Sequence, residues 1–287
     1  MRMKTMPRIE KADRTGFCFG VRRAVGELEK IARERGGVET LGAVVHNRRV
    51  LERLAGIGVR TVGGIEAITG DSVVTSTHGV SPDLEERIRA RHIEVVSTTC
   101  PFVRRAQMAA RRLAESGFFV IVYGDATHPE VKGILGWAEG RGLATLNPAD
   151  VAALKPLPRR LGVLAQTTQV PADFADFTKK IIDLALTRDA EIRIIDTICH
   201  DIRERQEAAL ELAHRADLML VVGGRSSANT NRLAELCAAV TETHLIESAA
   251  EIEPGWLVGK ELIGVTAGAS TAGQDVDEVM GRLERLV

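Results

Sequence analysis

The feature that most constrains this chain is an alternation, kept up over nearly its whole length, of short apolar runs and amphipathic helical stretches. The runs Leu41–Val45, Ser72–Thr75, Glu94–Val96, Phe118–Tyr123, Leu161–Ala165, Ile192–Ile195, Leu218–Val222 and Leu262–Thr266 read as strands. Helical periodicity recurs between them, for example at Val21–Arg35, Pro82–Ala90, Phe102–Ser116, Ala172–Asp189, Ile202–Ala216 and Asn231–Ala239. Strands that are apolar on both faces and separated by helices predict parallel sheets covered on both sides, an α/β fold. A length of 287 residues holds about two compact units, or three small ones. No Pro/Ser-rich linker divides them; the most loop-like stretch, Asn147–Arg160, is short.

Composition excludes several classes of function. With 45% hydrophobic and 27% charged residues the chain is neither disordered nor fibrous. Its net charge of -1 gives no excess of cations to hold a polyanion, and 3% aromatics are too few to stack single-stranded bases. No nucleic-acid partner is expected. Met1–Gly16 lacks the apolar stretch of a secretory signal, and no apolar run approaches the ~20 residues that span a bilayer, so a cytoplasmic location without membrane association is expected. Four cysteines in such a chain argue against a disulfide framework.

Polar residues gather where the apolar runs end: Ser76–Gly79, Gly124–Glu130, Gln166–Thr168, Gly223–Asn229 and Ala267–Ser270. In parallel sheets, ligands bind beyond the carboxyl ends of strands, where helices begin. Any one cluster is explained by helix capping; five together point to one polar site built from several loops. Cys18, Cys100 and Cys199 each precede an expected helix, where amide groups and the helix dipole favour thiolate. Their wide and similar intervals fit one thiol from each of three α/β units. Three thiolates could hold an iron–sulfur cluster with one iron left open, but three unrelated core cysteines give the same spacing. Cys237, inside the helical run Arg232–Ala239, reads as a buried structural residue.

Taken in chain order, the motifs Gly16-Phe17-Cys18-Phe19-Gly20-Val21, Val45-His46-Asn47, Thr77-His78-Gly79-Val80, Thr99-Cys100-Pro101, His128-Pro129-Glu130-Val131, Gln166-Thr167-Thr168, Asp196-Thr197-Ile198-Cys199 and Thr266-Ala267-Gly268-Ala269-Ser270 resemble those of the LytB family of 4-hydroxy-3-methylbut-2-enyl diphosphate reductases. The resemblance implies a trefoil of three small parallel-sheet α/β domains around a central cluster-containing cavity. The domains would be 18–99, 100–195 and 196–287, the last joined by segment 1–17. It implies a [4Fe–4S] cluster on Cys18, Cys100 and Cys199 with one open iron. The activity implied is reductive dehydroxylation to isopentenyl and dimethylallyl diphosphate, the last step of the non-mevalonate isoprenoid route.

The same resemblance makes Glu130 the proton source and Thr167 a hydrogen-bond partner of the substrate hydroxyl or of Glu130. His46, His78, His128, Ser227, Asn229 and Ser270 would receive the diphosphate. Each of these residues has an ordinary reading as a loop or capping residue, and Glu130 as a solvated first-turn acid after Pro129. A ferredoxin or flavodoxin is the implied electron donor, since no G-x-G-x-x-G fingerprint for a flavin or nicotinamide is present. Three positions depart from the family pattern. Ala228 replaces one hydroxyl of a Ser-Ser-Asn run, Asp201-Ile202 stands for an Ala-Thr pair at the cavity rim, and Ala272-Gly273 stands for Pro-Asp. They keep open two alternatives: a paralogue acting on another unsaturated diphosphate, or a non-catalytic iron–sulfur protein.

Overall fold

Among the residues described by the computed structural model, 6–287, twelve strands pair in parallel to form three four-stranded sheets. Met1–Thr5, the start of the expected N-terminal segment, lie outside the described residues. One sheet runs β11 (Thr243–Ile246), β10 (Leu218–Val222), β12 (Leu262–Ala267), β1 (Arg8–Lys11). A second runs β3 (Val59–Val62), β2 (Val38–Leu41), β4 (Ser72–Thr75), β5 (Glu94–Ser97). The third runs β7 (Gly142–Thr145), β6 (Phe119–Tyr123), β8 (Arg160–Ala165), β9 (Glu191–Ile195). The expected α/β class is the observed one.

The chain forms two compact units. Met1–Arg22, Val45–Arg53 and His200–Val287 make one, which contains the first sheet; Arg23–Val44 and Leu54–Cys199 make the other, which contains the second and third. In the first unit, Leu218, Leu220, Val222, Ile263 and Val265 pack against Val276, Val279 and Leu283 of helix Gly273–Leu286. The alternate residues Met219 and Val221 pack on the opposite face with Ala209, Leu212 and Leu233. Period-two burial on both faces is what helices on both sides of a parallel sheet require. In the second unit, Val120, Val122 and Leu164 face helix Pro101–Glu115, while Ile121, Leu161 and Val163 face Phe174, Phe177 and Ile181 of helix Pro171–Leu186. Each fully buried Leu, Ile or Val contributes about 1.5–3 kcal/mol.

Helix starts in the second unit are set by proline. Pro82, Pro101, Pro129, Pro148 and Pro171 occupy the first turn of their helices, where the missing N–H would have had no intrahelical acceptor.

One strand lies earlier than expected. The run Leu41–Val45 is a strand only at its first residue, the pairing segment being Val38–Leu41. Gly42, at φ +73°, turns the chain out of the sheet, and Val44 and Val45 are buried as loop. Polar Glu39 and Thr40 hid the true strand. Glu39 is buried because Arg60 and the amides of Thr69 (2.9 Å) and Gly70 (3.2 Å) satisfy its carboxylate.

Candidate active site

All three motif cysteines follow an edge strand, one in each sheet: Cys18 after β1, Cys100 after β5 and Cys199 after β9. Each is tied to the loop of the neighbouring inner strand by the same backbone hydrogen bond. The Cys18 N–H donates to Ala269 O (3.0 Å), that of Cys100 to Thr77 O (3.0 Å) and that of Cys199 to Thr167 O (2.9 Å). The inner strands β4, β6, β8, β10 and β12 run into the five polar clusters. The sheets therefore share one plan, with a thiol beyond an edge strand and polar side chains beyond the inner ones.

In the second unit, Glu130 is 2% exposed, and Thr167 satisfies both of its oxygens. The Thr167 N–H donates to Oε1 at 2.7 Å and the Thr167 hydroxyl to Oε2 at 3.0 Å. Burial raises the Glu130 pKa against the opposing pull of these two bonds, so this carboxyl holds its proton at higher pH than a solvated one. The reading of Glu130 as a solvated first-turn acid is thus excluded. His128 caps the same helix, its Nδ1 accepting the Glu130 N–H at 3.2 Å. An accepting Nδ1 places the proton of a neutral imidazole on Nε2, which leaves that atom a donor. The His78 ring stands perpendicular to it at a centroid distance of 5.2 Å.

Cys100 caps helix Pro101–Glu115. Its thiol pKa is raised, chiefly by burial; hydrogen bonds from the Phe102 and Val103 amides and the charge of Arg23 oppose this, and Glu130 adds to it. At Cys100 the helix N-terminal amides and Arg23 favour thiolate as expected, while burial opposes them more strongly.

In the first unit, the Cys18 sulfur accepts the Val21 N–H at 3.4 Å. Ser227 caps helix Ala228–Ala238, its Oγ accepting the Thr230 N–H at 3.3 Å. Asn229, two residues on, is 5% exposed, and neither atom of its side-chain amide has a hydrogen-bond partner; the buried Ser270 hydroxyl also has none. Orphaned polar groups of this kind cost about 1–3 kcal/mol each unless a ligand completes them. Burial lowers the His46 pKa, which keeps its imidazole neutral near pH 7. A Cβ at Gly224 would lie 2.5 Å from the His46 carbonyl, so a glycine is needed where that loop passes. Ile202 is buried, 4% exposed.

Sequence reasoning missed Arg205, a guanidinium only 2% exposed that donates to Arg14 O (2.8 Å) and Ala267 O (3.2 Å) and so braces the loop carrying Ser270. An arginine in mid-helix carries no signal of this kind. Cys237 is buried, and its thiol is pushed up to about 12 by desolvation, as a structural cysteine should be. None of the four cysteines forms a disulfide.

The family model of the LytB protein matches residues 9–284. The chain belongs to this family. Among LytB relatives, the 4-hydroxy-3-methylbut-2-enyl diphosphate reductase of Dehalococcoides mccartyi strain CBDB1 is 58% identical over 279 residues, covering 97% of this chain and 98% of that protein. The reductase of the same name from Geobacter metallireducens is 43% identical, with 96% of each chain covered. A solved structure of (E)-4-hydroxy-3-methyl-but-2-enyl diphosphate reductase, the terminal enzyme of the non-mevalonate pathway, superposes with a TM-score of 0.71 at 36% identity, covering 96% of this chain and 99% of that one. The E-1-hydroxy-2-methyl-but-2-enyl-4-diphosphate reductase of Plasmodium falciparum shares the fold, with a TM-score of 0.90 at 24% identity over 96% of this chain and 88% of that one.

Proposed function

We propose that this chain reduces 4-hydroxy-3-methylbut-2-enyl diphosphate to isopentenyl and dimethylallyl diphosphate. The reaction takes two electrons and two protons; the allylic C–O bond breaks, a C–H bond forms and water leaves. The observation that carries this reading is Glu130, a buried carboxyl with a raised pKa, fixed at both oxygens by Thr167. A carboxyl whose pKa is raised by burial and that is locked in one rotamer suits delivery of a proton to a leaving hydroxyl.

Family membership implies an iron–sulfur cluster, and the donor set fits one. None of Cys18, Cys100 and Cys199 is in a disulfide, and amide N–H groups address the sulfurs of Cys18 and Cys100. We assign these three as its ligands, which leaves one iron of a [4Fe–4S] cluster open. Such a cluster supplies a Lewis-acidic iron for the allylic oxygen and a store for the incoming electrons. The chain's own groups do the rest. Asn229 and Ser270 offer unmatched hydrogen-bonding atoms; with His46, His78, His128 and Ser227 they would bind the diphosphate without a lysine. Thr167, hydrogen-bonded to both oxygens, holds the Glu130 carboxyl in one orientation.

On this reading the chain comprises three α/β domains, 18–99, 100–195 and 196–287 with 1–17, each holding the strands of one sheet. Electrons arrive from a ferredoxin- or flavodoxin-type carrier. Anaerobic turnover of 4-hydroxy-3-methylbut-2-enyl diphosphate with a reduced viologen, on protein of known iron and sulfide content, tests the proposal. Dye oxidation that yields both five-carbon diphosphates is expected. A full cluster without turnover would sink it and point to another unsaturated diphosphate.

A further inference from the structure

Helix Pro101–Glu115 opens on Cys100 and carries Arg104, Arg105, Arg111 and Arg112 against a single acid, Glu115. This concentration of positive charge is unusual in a chain whose net charge is -1. Arg104 and Arg111, like Arg105 and Arg112, are seven residues apart and so share one stripe of the helix. All four are exposed. Only Arg111 has a carboxylate partner among the described residues, Glu115 at 2.7 Å. Arg104 lies 4.2 Å above the Trp137 ring, and its Nη1 is 3.4 Å from Gln107 Oε1; Arg105 reaches only the backbone oxygen of Asp196, at 3.4 Å.

Beside the first turn of this helix lies a cavity of about 440 Å³, lined by Arg23, Arg104, Ser97, Thr99 and Gln107, with Glu85 on its wall. Glu85 is engaged by Arg89 at 2.5 Å, whereas Arg23 makes one hydrogen bond, to Thr99 O at 2.7 Å. Gln107, 1% exposed, has a side-chain N–H group with no acceptor. Two guanidiniums and an unmatched amide donor line this recess, and each would donate a hydrogen bond to a carboxylate oxygen.

From these observations we propose that the arginine stripe of helix Pro101–Glu115 is the docking face for an acidic one-electron carrier protein, with a carboxylate of the carrier seated in the Arg23–Arg104 recess. The inference rests on the reductase reading, which requires two external electrons and assigns Cys100 to the cluster. It adds where the carrier binds. Arg104 and Arg105 lie about one helical turn, ~6–8 Å of rise, from Cys100, so a carrier seated there delivers electrons beside a proposed ligand. Opposite charge on the two faces speeds encounter and gives it a steep dependence on salt.

The test uses the anaerobic cluster-loaded enzyme with two electron sources: a reduced plant-type ferredoxin of net negative charge, and reduced methyl viologen, a small cation that needs no docking face. Charge reversal in R105E/R112E, and separately in R104E, is expected to raise the KM for ferredoxin by about tenfold or more and to flatten its dependence on salt. Viologen-driven turnover is expected to stay within about twofold, a direct measure that the cluster and the substrate site are intact. Ferredoxin kinetics unchanged in both variants would overturn the proposal, as would an equal fall with both electron sources. If the unaltered chain shows no viologen-driven turnover, the reductase reading fails separately. Ferredoxin binding measured by calorimetry at low and high salt then decides the docking face: binding lost in R105E/R112E supports it, and binding retained overturns it.

Discussion

Glu130 and Asn229 occupy matching places in two different sheets. Each is the second residue of a helix that follows an inner strand, and each comes two residues after a capping side chain, His128 or Ser227. Both are buried, yet their surroundings are opposite. Glu130 is satisfied at both oxygens by one residue, Thr167, while the Asn229 amide is satisfied at neither atom. A satisfied buried polar group stabilises the fold and is fixed in position; an unsatisfied one destabilises the fold until a ligand arrives. On the proposed reading, the same backbone position is used once to supply a proton and once to bind an anion.

Mutations can break that contrast. Glu130→Gln keeps the hydrogen-bonding shape but removes the acid, and turnover should fall by about 10²–10⁴-fold with cluster content and substrate affinity retained; single-turnover kinetics on loaded enzyme would show it. Asn229→Ala removes charge-assisted bonds to the diphosphate worth about 1.5–3 kcal/mol, so substrate Kd should rise roughly 10- to 150-fold while Tm without substrate holds or rises. An Asn229→Ala variant that lost stability instead would show the amide to be structural. Thr167→Val should do the reverse, leaving Glu130 buried without its hydroxyl partner and costing about 1–3 kcal/mol in a denaturant melt.

The pH dependence sharpens the same comparison. Because burial raises the Glu130 pKa in the folded chain, the stability linked to its protonated form is fully present below the unfolded value of 4.5 and is lost as pH rises through the folded value. Calorimetry at several pH values should therefore find that Glu130→Gln gains Tm relative to the unaltered chain from acid to neutral pH. A constant difference would mean that Glu130 is not desolvated. The smallest effect belongs to Ala228→Ser: one neutral hydrogen bond, about 0.5–1.5 kcal/mol, or a few-fold in KM.

Legibility in the sequence followed apolar content: the half-exposed edge strands β5 and β9 read as runs, whereas the buried inner strand β2 was hidden by Glu39 and Thr40. The inner strands β6, β8, β10 and β12 are apolar on both faces, and β4 carries the Val73-Val74 pair; all stood out as runs. Four edge strands, β1, β3, β7 and β11, did not, because residues such as Glu10, Arg60 and Thr243 face water or edge partners. The cysteines, Glu130 and the capping histidine were visible because they sit in short motifs beside prolines and glycines. What could not be read was satisfaction: whether Glu130 met a partner, whether Asn229 lacked one, or that Arg205 braces the Ala267 loop. Those depend on residues far apart in the chain.

The pairing of β1 with β12 joins Arg8 to Leu262 and Lys11 to Val265. On a ribosome that strand must wait, unpaired, while almost the whole chain is made. The second unit, wholly encoded between Arg23 and Cys199, can close earlier. Domains generally fold as they emerge, and pairings between distant segments form slowly. Synthesis therefore runs from the inside of the sequence outward, and Cys18, the first motif thiol to leave the ribosome, is the last to gain its backbone partner, Ala269.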